Sequence, residues 1–276
     1  MTPRWPPPYK AALSFTMDNL GEAQDVLRNA WWPHPIGTHP AVTNQLPRML
    51  SMLAEHCIKA TYFTESWSLD VYPDAVKSLL QAGHEVAWHG FQHEFWSSLD
   101  EEQEKQNFAK SMQAASKYEG VRYQGFRPPG GKINDRTWGL LKKHGLEYVS
   151  PLGELGLGKE GVAVLPFEWR AVDAFWYMDK FSGIRREHGE REKIEEPEKE
   201  FKKCLLDKLE EVKREGGFLS VLFHPFLQTS EEKFAVLKEV LDRIAAEQEE
   251  VWIAPCREIA QWVREHPELF ERQDQS

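Results

Sequence analysis

Apolar residues along the chain fall in short runs, and most runs are followed by a stretch whose apolar positions recur every three or four residues. The runs read as buried strands and the periodic stretches as amphipathic helices. Strands are predicted at 11–16 (AALSFT), 60–64 (ATYFT), 85–88, 123–127, 147–149, 162–166 (VAVLP), 218–223 (FLSVLF) and 251–254. Helices are predicted at 44–57, 73–82, 98–119, 135–144, 196–215, 230–247 and 257–265. Pro47 sits near the first turn of its helix, where a missing N–H costs little. Gly83, Gly145 and the pair Gly216-Gly217 stop theirs. Ser98 and Glu101 have the spacing of a capping box.

This β-then-α order predicts a parallel sheet with helices outside it. No GxGxxG follows the first strand and no GxxxxGK[ST] occurs, so the usual nucleotide-binding forms of an open doubly wound sheet are excluded. A barrel, typically of roughly 250 residues, fits the length. After 162–166 a Trp-rich loop stands where a helix would be expected. The charged stretch 185–200 (RREHGEREKIEEPEKE) is the one place a boundary could fall. It reads as a solvated excursion into the next helix, so residues 1–276 are expected to form a single domain.

Charge narrows the partners. The 34 Lys and Arg against 44 Asp and Glu leave a net charge of −10, which excludes a general nucleic-acid binder. No apolar run approaches the roughly 20 residues of a membrane span. Residues 1–10 (MTPRWPPPYK) lack the pattern of a signal peptide. Cys57, Cys204 and Cys256 are scattered and odd in number, which argues against a disulfide framework. Cys57 and Cys204 lie in helical patterns and read as packing residues. The expectation is a cytoplasmic protein that acts on a small-molecule or carbohydrate substrate, with no nucleic-acid or membrane partner. A homo-oligomer is compatible with this.

Residues able to do chemistry cluster just after the strands: Asp18, His89 and His93, Arg127 and His224. In a parallel α/β fold these positions share the C-terminal mouth, where active sites form. His89 and His93 are four apart. On a helical turn they would point the same way and share a metal, zinc foremost, completed by a carboxylate and water. The alternative is a pair of structural histidines. Arg127 opens Arg-Pro-Pro-Gly-Gly, a rigid turn suited to presenting a guanidinium to an anionic group. His224 follows the most apolar strand, where it is either a general acid or a satisfied structural residue.

At these residues the chain, from about Ala11 to Trp262, resembles the polysaccharide deacetylases of the NodB-homology type, a group that includes allantoinase-like and cyclic-imide-hydrolysing relatives. The matching motifs are His89-Gly-Phe-Gln-His93, Arg127-Pro-Pro-Gly130 and Leu222-Phe-His224. The resemblance implies a distorted (β/α) barrel of about seven strands, and one divalent metal held by Asp18, His89 and His93. The first motif departs from the family's FDDG or FDxD, because here it reads Phe15-Thr16-Met17-Asp18-Asn19. In one register Asp18 takes the metal position and Thr16 replaces the aspartate base. In the other Asp18 is the base and the metal keeps two protein ligands. The first is preferred, since three ligands plus water is the usual catalytic set. Glu22 and Asp25 are candidate substitutes for the base, with solvated loop charge as the favoured reading. Asp173 resembles the family aspartate that orients the last-motif histidine, and Asp179 competes with it.

Two aromatic loops, 31–39 and 167–177, are expected to wall the mouth, with Trp31, Trp32, Pro128 and Trp176 against the substrate. The expected activity is hydrolysis of a non-peptide C–N bond by a metal-dependent N-deacetylase of a soluble N-acyl compound or carbohydrate. Its catalytic residues would be His224, Arg127 and Asp173. A metal-independent allantoinase-like or cyclic-imide hydrolase is one rival. A catalytically inactive barrel that binds a carbohydrate or a partner is the other.

Overall fold

A computed structural model describes residues 4–271. Met1–Pro3, part of the leader reading above, lie outside the described residues. The strand β1 (Ala11–Asp18) is buried at every position. Burial on both faces is what a near-continuous apolar run requires in a parallel sheet. The remaining strands are β2 (Thr61–Thr64), β3 (Glu85–Trp88), β4 (Gly125–Phe126), β5 (Tyr148–Val149), β6 (Gly156–Leu157), β7 (Ala163–Val164), β8 (Phe218–Phe223) and β9 (Val251–Ile253).

The sheet runs in the order β6-β7-β5-β4-β3-β2-β1-β8. Among the described residues only β6 pairs antiparallel, with β7. Eight strands, β1 to β5 and β7 to β9, pair in parallel, one more than the about seven that the family resemblance implies. One edge of β1 carries β8 from Ala12 to Met17. The other is shared end to end by β9, opposite Ala11–Leu13, and β2, opposite Thr16–Asp18. A parallel bridge from Val172 to Leu222 of β8 brings the segment after β7 around to the opposite edge, so the sheet curls into a half-barrel. The strand β6 escapes sequence analysis because two residues in a glycine-rich stretch show no alternation.

Helices cover the sheet close to where the pattern puts them, among them Leu46–Glu55, Pro73–Gln81, Pro197–Glu215, Glu231–Ala246 and Cys256–Glu265. The capping box differs. Helix Glu101–Ala115 is capped by Asp100 and Gln103, each side chain taking the other's backbone N–H at 2.9 Å. Ser98 instead closes a 3-10 turn by donating to the Phe95 carbonyl. Cys57 lies just past its helix in the left-handed region (φ 56°) and is exposed, so it is not a packing residue. No helix among the described residues is long and apolar enough to cross a membrane.

Gly125 shows how tightly the strands close. A Cβ built there would lie 1.8 Å from Cζ of Tyr148, its partner on β5. The Tyr148 ring cannot retreat, because it is fully buried and its hydroxyl donates to Glu85 Oε1 at 3.0 Å. Glu85 in turn is held by the Thr61 hydroxyl and the Arg257 amide. Gly125→Ala should therefore destabilise the fold by about 1–3 kcal/mol. Gly139→Ala, on an exposed helix face with nothing within 4 Å of the added methyl, should stabilise it by ~0.4–1 kcal/mol. Denaturant melts of the two variants test this, and equal midpoints would refute it.

Candidate active site

Because β1 to β4 and β8 run parallel, the residues at their C-terminal ends meet at one mouth. Asp18 ends β1, Glu65 follows β2, His89 follows β3, Arg127 follows β4 and His224 follows β8. Glu65 was not among the sequence candidates. The strand-end rule that selected the others would have selected it too.

Arg127 is fully buried, and every N–H of its guanidinium is engaged. Nε and Nη2 donate to the Ser150 hydroxyl at 3.2 and 3.0 Å. Nη1 donates to the Thr16 hydroxyl and to Asp18 Oδ1, each at 2.9 Å. Nη2 also donates to the Ser220 hydroxyl at 2.9 Å. The Phe63 ring lies 4.1 Å beneath the guanidinium carbon. No donor is left for a substrate anion, so the guanidinium acts on the site through its charge and through Asp18. The Thr16 hydroxyl donates to the Val221 carbonyl at 2.9 Å and accepts from Arg127. It is part of the arginine cradle.

The two histidines do not lie on a helix. Gly90 (φ 82°) and His93 (φ 66°) take left-handed conformations, and Glu94 Oε2 accepts the N–H groups of Phe91 and Gln92 at 3.0 Å. This loop brings the His89 and His93 ring centroids to 4.8 Å. His89 Nδ1 donates to the Arg127 carbonyl at 2.7 Å, leaving Nε2 facing Asp18 Oδ2 at 3.7 Å. Burial pushes the His89 pKa down to about 3. Burial also holds His93 well below its ordinary value, with His89 adding to the effect. Both rings are neutral at pH 7 and so are competent metal ligands. Gln24 hydrogen-bonds His93 Nδ1.

The acid grouped with both rings is Glu65. Ligand atoms of Glu65, His89 and His93 all lie within 4.8 Å of one another. Asp18 is not in this group, although its Oδ2 faces His89 Nε2 and its Oδ1 accepts from Arg127. The Glu65 carboxylate accepts from Asn19 Nδ2 at 2.7 Å and from the Leu20 amide at 2.9 Å, and burial pushes its pKa up to about 8. Two buried acids thus flank the histidines where one was expected.

His224 stands in the opposite electrostatic state. Its Nδ1 donates to Asp173 Oδ1 at 2.5 Å. Asp173 also accepts the amides of Ala174 and His224, each at 2.7 Å, and Gln228 Nε2 at 3.0 Å. The bridge from Val172 to Leu222 explains the contact, since it sets Asp173, the next residue on one side, beside the end of β8, where His224 follows two residues on. Asp179 opens an exposed 3-10 turn elsewhere. Burial alone would lower the His224 pKa, but the charge and hydrogen bond of Asp173 outweigh it and raise the value. Gln228 had no signal in the sequence.

Asp18, His89, His93, Arg127 and His224 line a cavity of about 710 Å³, while Glu65, Asp173 and Gln228 stand behind that lining. Pro128 is in its wall, with Phe95, Phe167, Trp169 and Phe181 as the aromatic surface. Trp31, Trp32 and Trp176 lie outside it. Trp31 stacks on His39 and donates to the Pro35 carbonyl, closing its own loop. Trp32 is 88% exposed. Trp176 is turned into the fold by a 2.9 Å bond to the Arg170 carbonyl. Glu22 is not among the lining residues. It accepts the Gly37 amide and the Tyr72 hydroxyl and thereby pins the 31–39 loop. Asp25 also lies outside the lining and is half-exposed.

Residues 36–149 match the family model described as polysaccharide deacetylase. The peptidoglycan deacetylase of Helicobacter pylori is 30% identical over 103 residues, 37% of this chain and 35% of that protein. The chain spans 28% to 51% of the length of the first curated relatives it matches. A solved structure from Mycobacterium smegmatis, provisionally named a polysaccharide deacetylase, is 27% identical, with a TM-score of 0.80 over 95% of this chain and 93% of that one. The Puue allantoinase shares the fold at 18% identity, with a TM-score of 0.76 over 94% of this chain and 92% of that one.

The raised His224 pKa depends on Asp173. Asp173→Asn leaves burial opposed only by the charge of Asp18, so the imidazole pKa should fall from its raised value in the parent. The raised value stabilises the fold fully below pH 6.5, and that contribution is lost as pH rises through the folded pKa. The variant should lose this pH dependence. NMR titration of the imidazole reads the shift directly, and an unshifted resonance would refute the coupling.

Proposed function

From its relation to the polysaccharide deacetylases, we propose that this chain hydrolyses the C–N bond of a small N-acyl compound, carbohydrate or cyclic amide. The observation that carries the reading is the contrast within one cavity. His89 and His93 are held neutral, His224 is held toward its charged form, and Asp18 is fixed by a buried arginine. Environments that push titratable groups apart are how one site keeps an acid and a base at the same pH.

Two neutral imidazoles, His89 and His93, and the Glu65 acid, which would give up its proton to a bound cation, are a donor set that fits one divalent cation, zinc first among them. Bound there, such an ion would polarise the substrate carbonyl and lower the pKa of a water. Asp18 then leaves the ligand set that its sequence position implied. Its geometry supports the other register, in which Oδ2, the oxygen not held by Arg127, takes a proton from the attacking water. The water oxygen bonds to the carbonyl carbon. His224, held by Asp173, gives its Nε2 proton to the departing nitrogen, and the C–N bond breaks to leave a carboxylic acid and an amine. The cavity volume lies within the ~300–1,000 Å³ of small-ligand sites, which favours one or two rings over a long polymer groove.

His224→Ala should slow turnover by about 10²–10⁴-fold while circular dichroism shows the fold retained, at a lowered melting temperature because buried Asp173 loses its partner. Protein purified without chelator should carry about one equivalent of divalent metal, and His89→Ala should remove it. A metal-free protein with full activity would transfer the reading to a metal-independent hydrolase. A folded, metal-loaded protein that turns over no amide would leave the inactive binding barrel.

A further inference from the structure

We propose that the rim of the cavity selects a substrate bearing a free carboxylate beside the scissile amide. The word amide rests on the hydrolase reading above, while the charge selection stands on the rim itself. Besides the buried Arg127, three cations line the cavity, namely Arg28, Lys132 and Lys180. Most other cations of this acidic chain sit against carboxylates, as Arg48 does with Glu231 and Lys202 with Glu239. Among the described residues, Arg28 and Lys132 make no ion pair or side-chain hydrogen bond, and Lys180 lies only against the Phe181 ring at 5.5 Å.

Arg28 and Lys180 come from different parts of the chain, the loop after β1 and the segment after β7, and they are close enough to repel. Burial lowers the Lys180 pKa first and the Arg28 charge lowers it next, with Asp25 opposing. Arg28 also reaches the field of His93. Two like charges held together at the mouth of a cavity form an arrangement that an anion would stabilise. Glu187 is the one carboxylate of the rim, and Asp18, deeper, is neutralised by Arg127. A carboxylate fits this balance better than a phosphate, whose second charge would be repelled by Glu187 and Asp25. The walls between rim and histidines are apolar, built from Phe95, Trp169, Met178 and Ile184. They suit a short hydrocarbon spacer between the carboxylate and the amide.

Calorimetric titration of the intact protein with glutarate, glutaramide and inorganic phosphate tests this without turnover. Glutarate should bind about tenfold or more tightly than the neutral diamide and more tightly than phosphate, and should weaken in ~1 M salt. The double variant Arg28→Gln, Lys180→Gln should lose about tenfold in glutarate affinity while its glutaramide affinity stays put. Both side chains are exposed, so the fold should survive, and circular dichroism checks it. Equal binding of glutarate and glutaramide, no glutarate binding at about 10 mM, tighter binding of phosphate, or a preference that survives the double variant would each overturn the proposal. Charge-selective binding without hydrolysis of any carboxylate-bearing amide would overturn the hydrolase reading and leave this one standing.

Discussion

The buried guanidinium of Arg127 is the constraint on which the mouth depends. A charge taken out of water must be compensated at close range, and this one is compensated by one carboxylate, three hydroxyls and an aromatic face. Those partners come from β1, the residue after β5, β8 and β2. The arginine therefore ties strand ends that the curled sheet would otherwise hold only through backbone ladders. Removing one partner of such a buried pair typically costs about 3–5 kcal/mol, because the other charge is left uncompensated. The same residue sets the site's chemistry: its carbonyl fixes the His89 tautomer, and its Nη1 fixes the Asp18 carboxylate.

The three mouth histidines show how environment, rather than residue type, assigns a role. His89 and His224 are buried and His93 is half-buried, and the loss of solvent pushes each toward the neutral form. His224 alone faces a fully hydrogen-bonded aspartate, and that charge reverses the outcome. His89 has a backbone carbonyl in that place, which orients the ring without charging it. The pairing of His224 with Asp173 depends on a single bridge between Val172 and Leu222, a contact between segments 50 residues apart in sequence.

Periodicity made the strands and helices legible, since strands buried on both faces and helices with one apolar face leave marks in any window of ten residues. The motif residues Asp18, His89, His93, Arg127 and His224 were legible for a related reason: each follows an apolar run, and parallel strands must end together. Glu65 was available to the same logic. The 31–39 loop misled, because aromatic residues there pack on each other under the pin of Glu22 and turn away from the cavity.

By itself the sequence determined which elements form, that their ends converge, and which side chains stand at that convergence, because these follow from local patterns and chain direction. Only the tertiary structure decided which acid joins the histidines, whether Arg127 faces substrate or strand ends, and which histidine is held toward its charged form. Each of those depends on distances of a few ångströms between segments far apart in the chain, and on the burial that the closed sheet imposes. Neither quantity is present in the order of the residues.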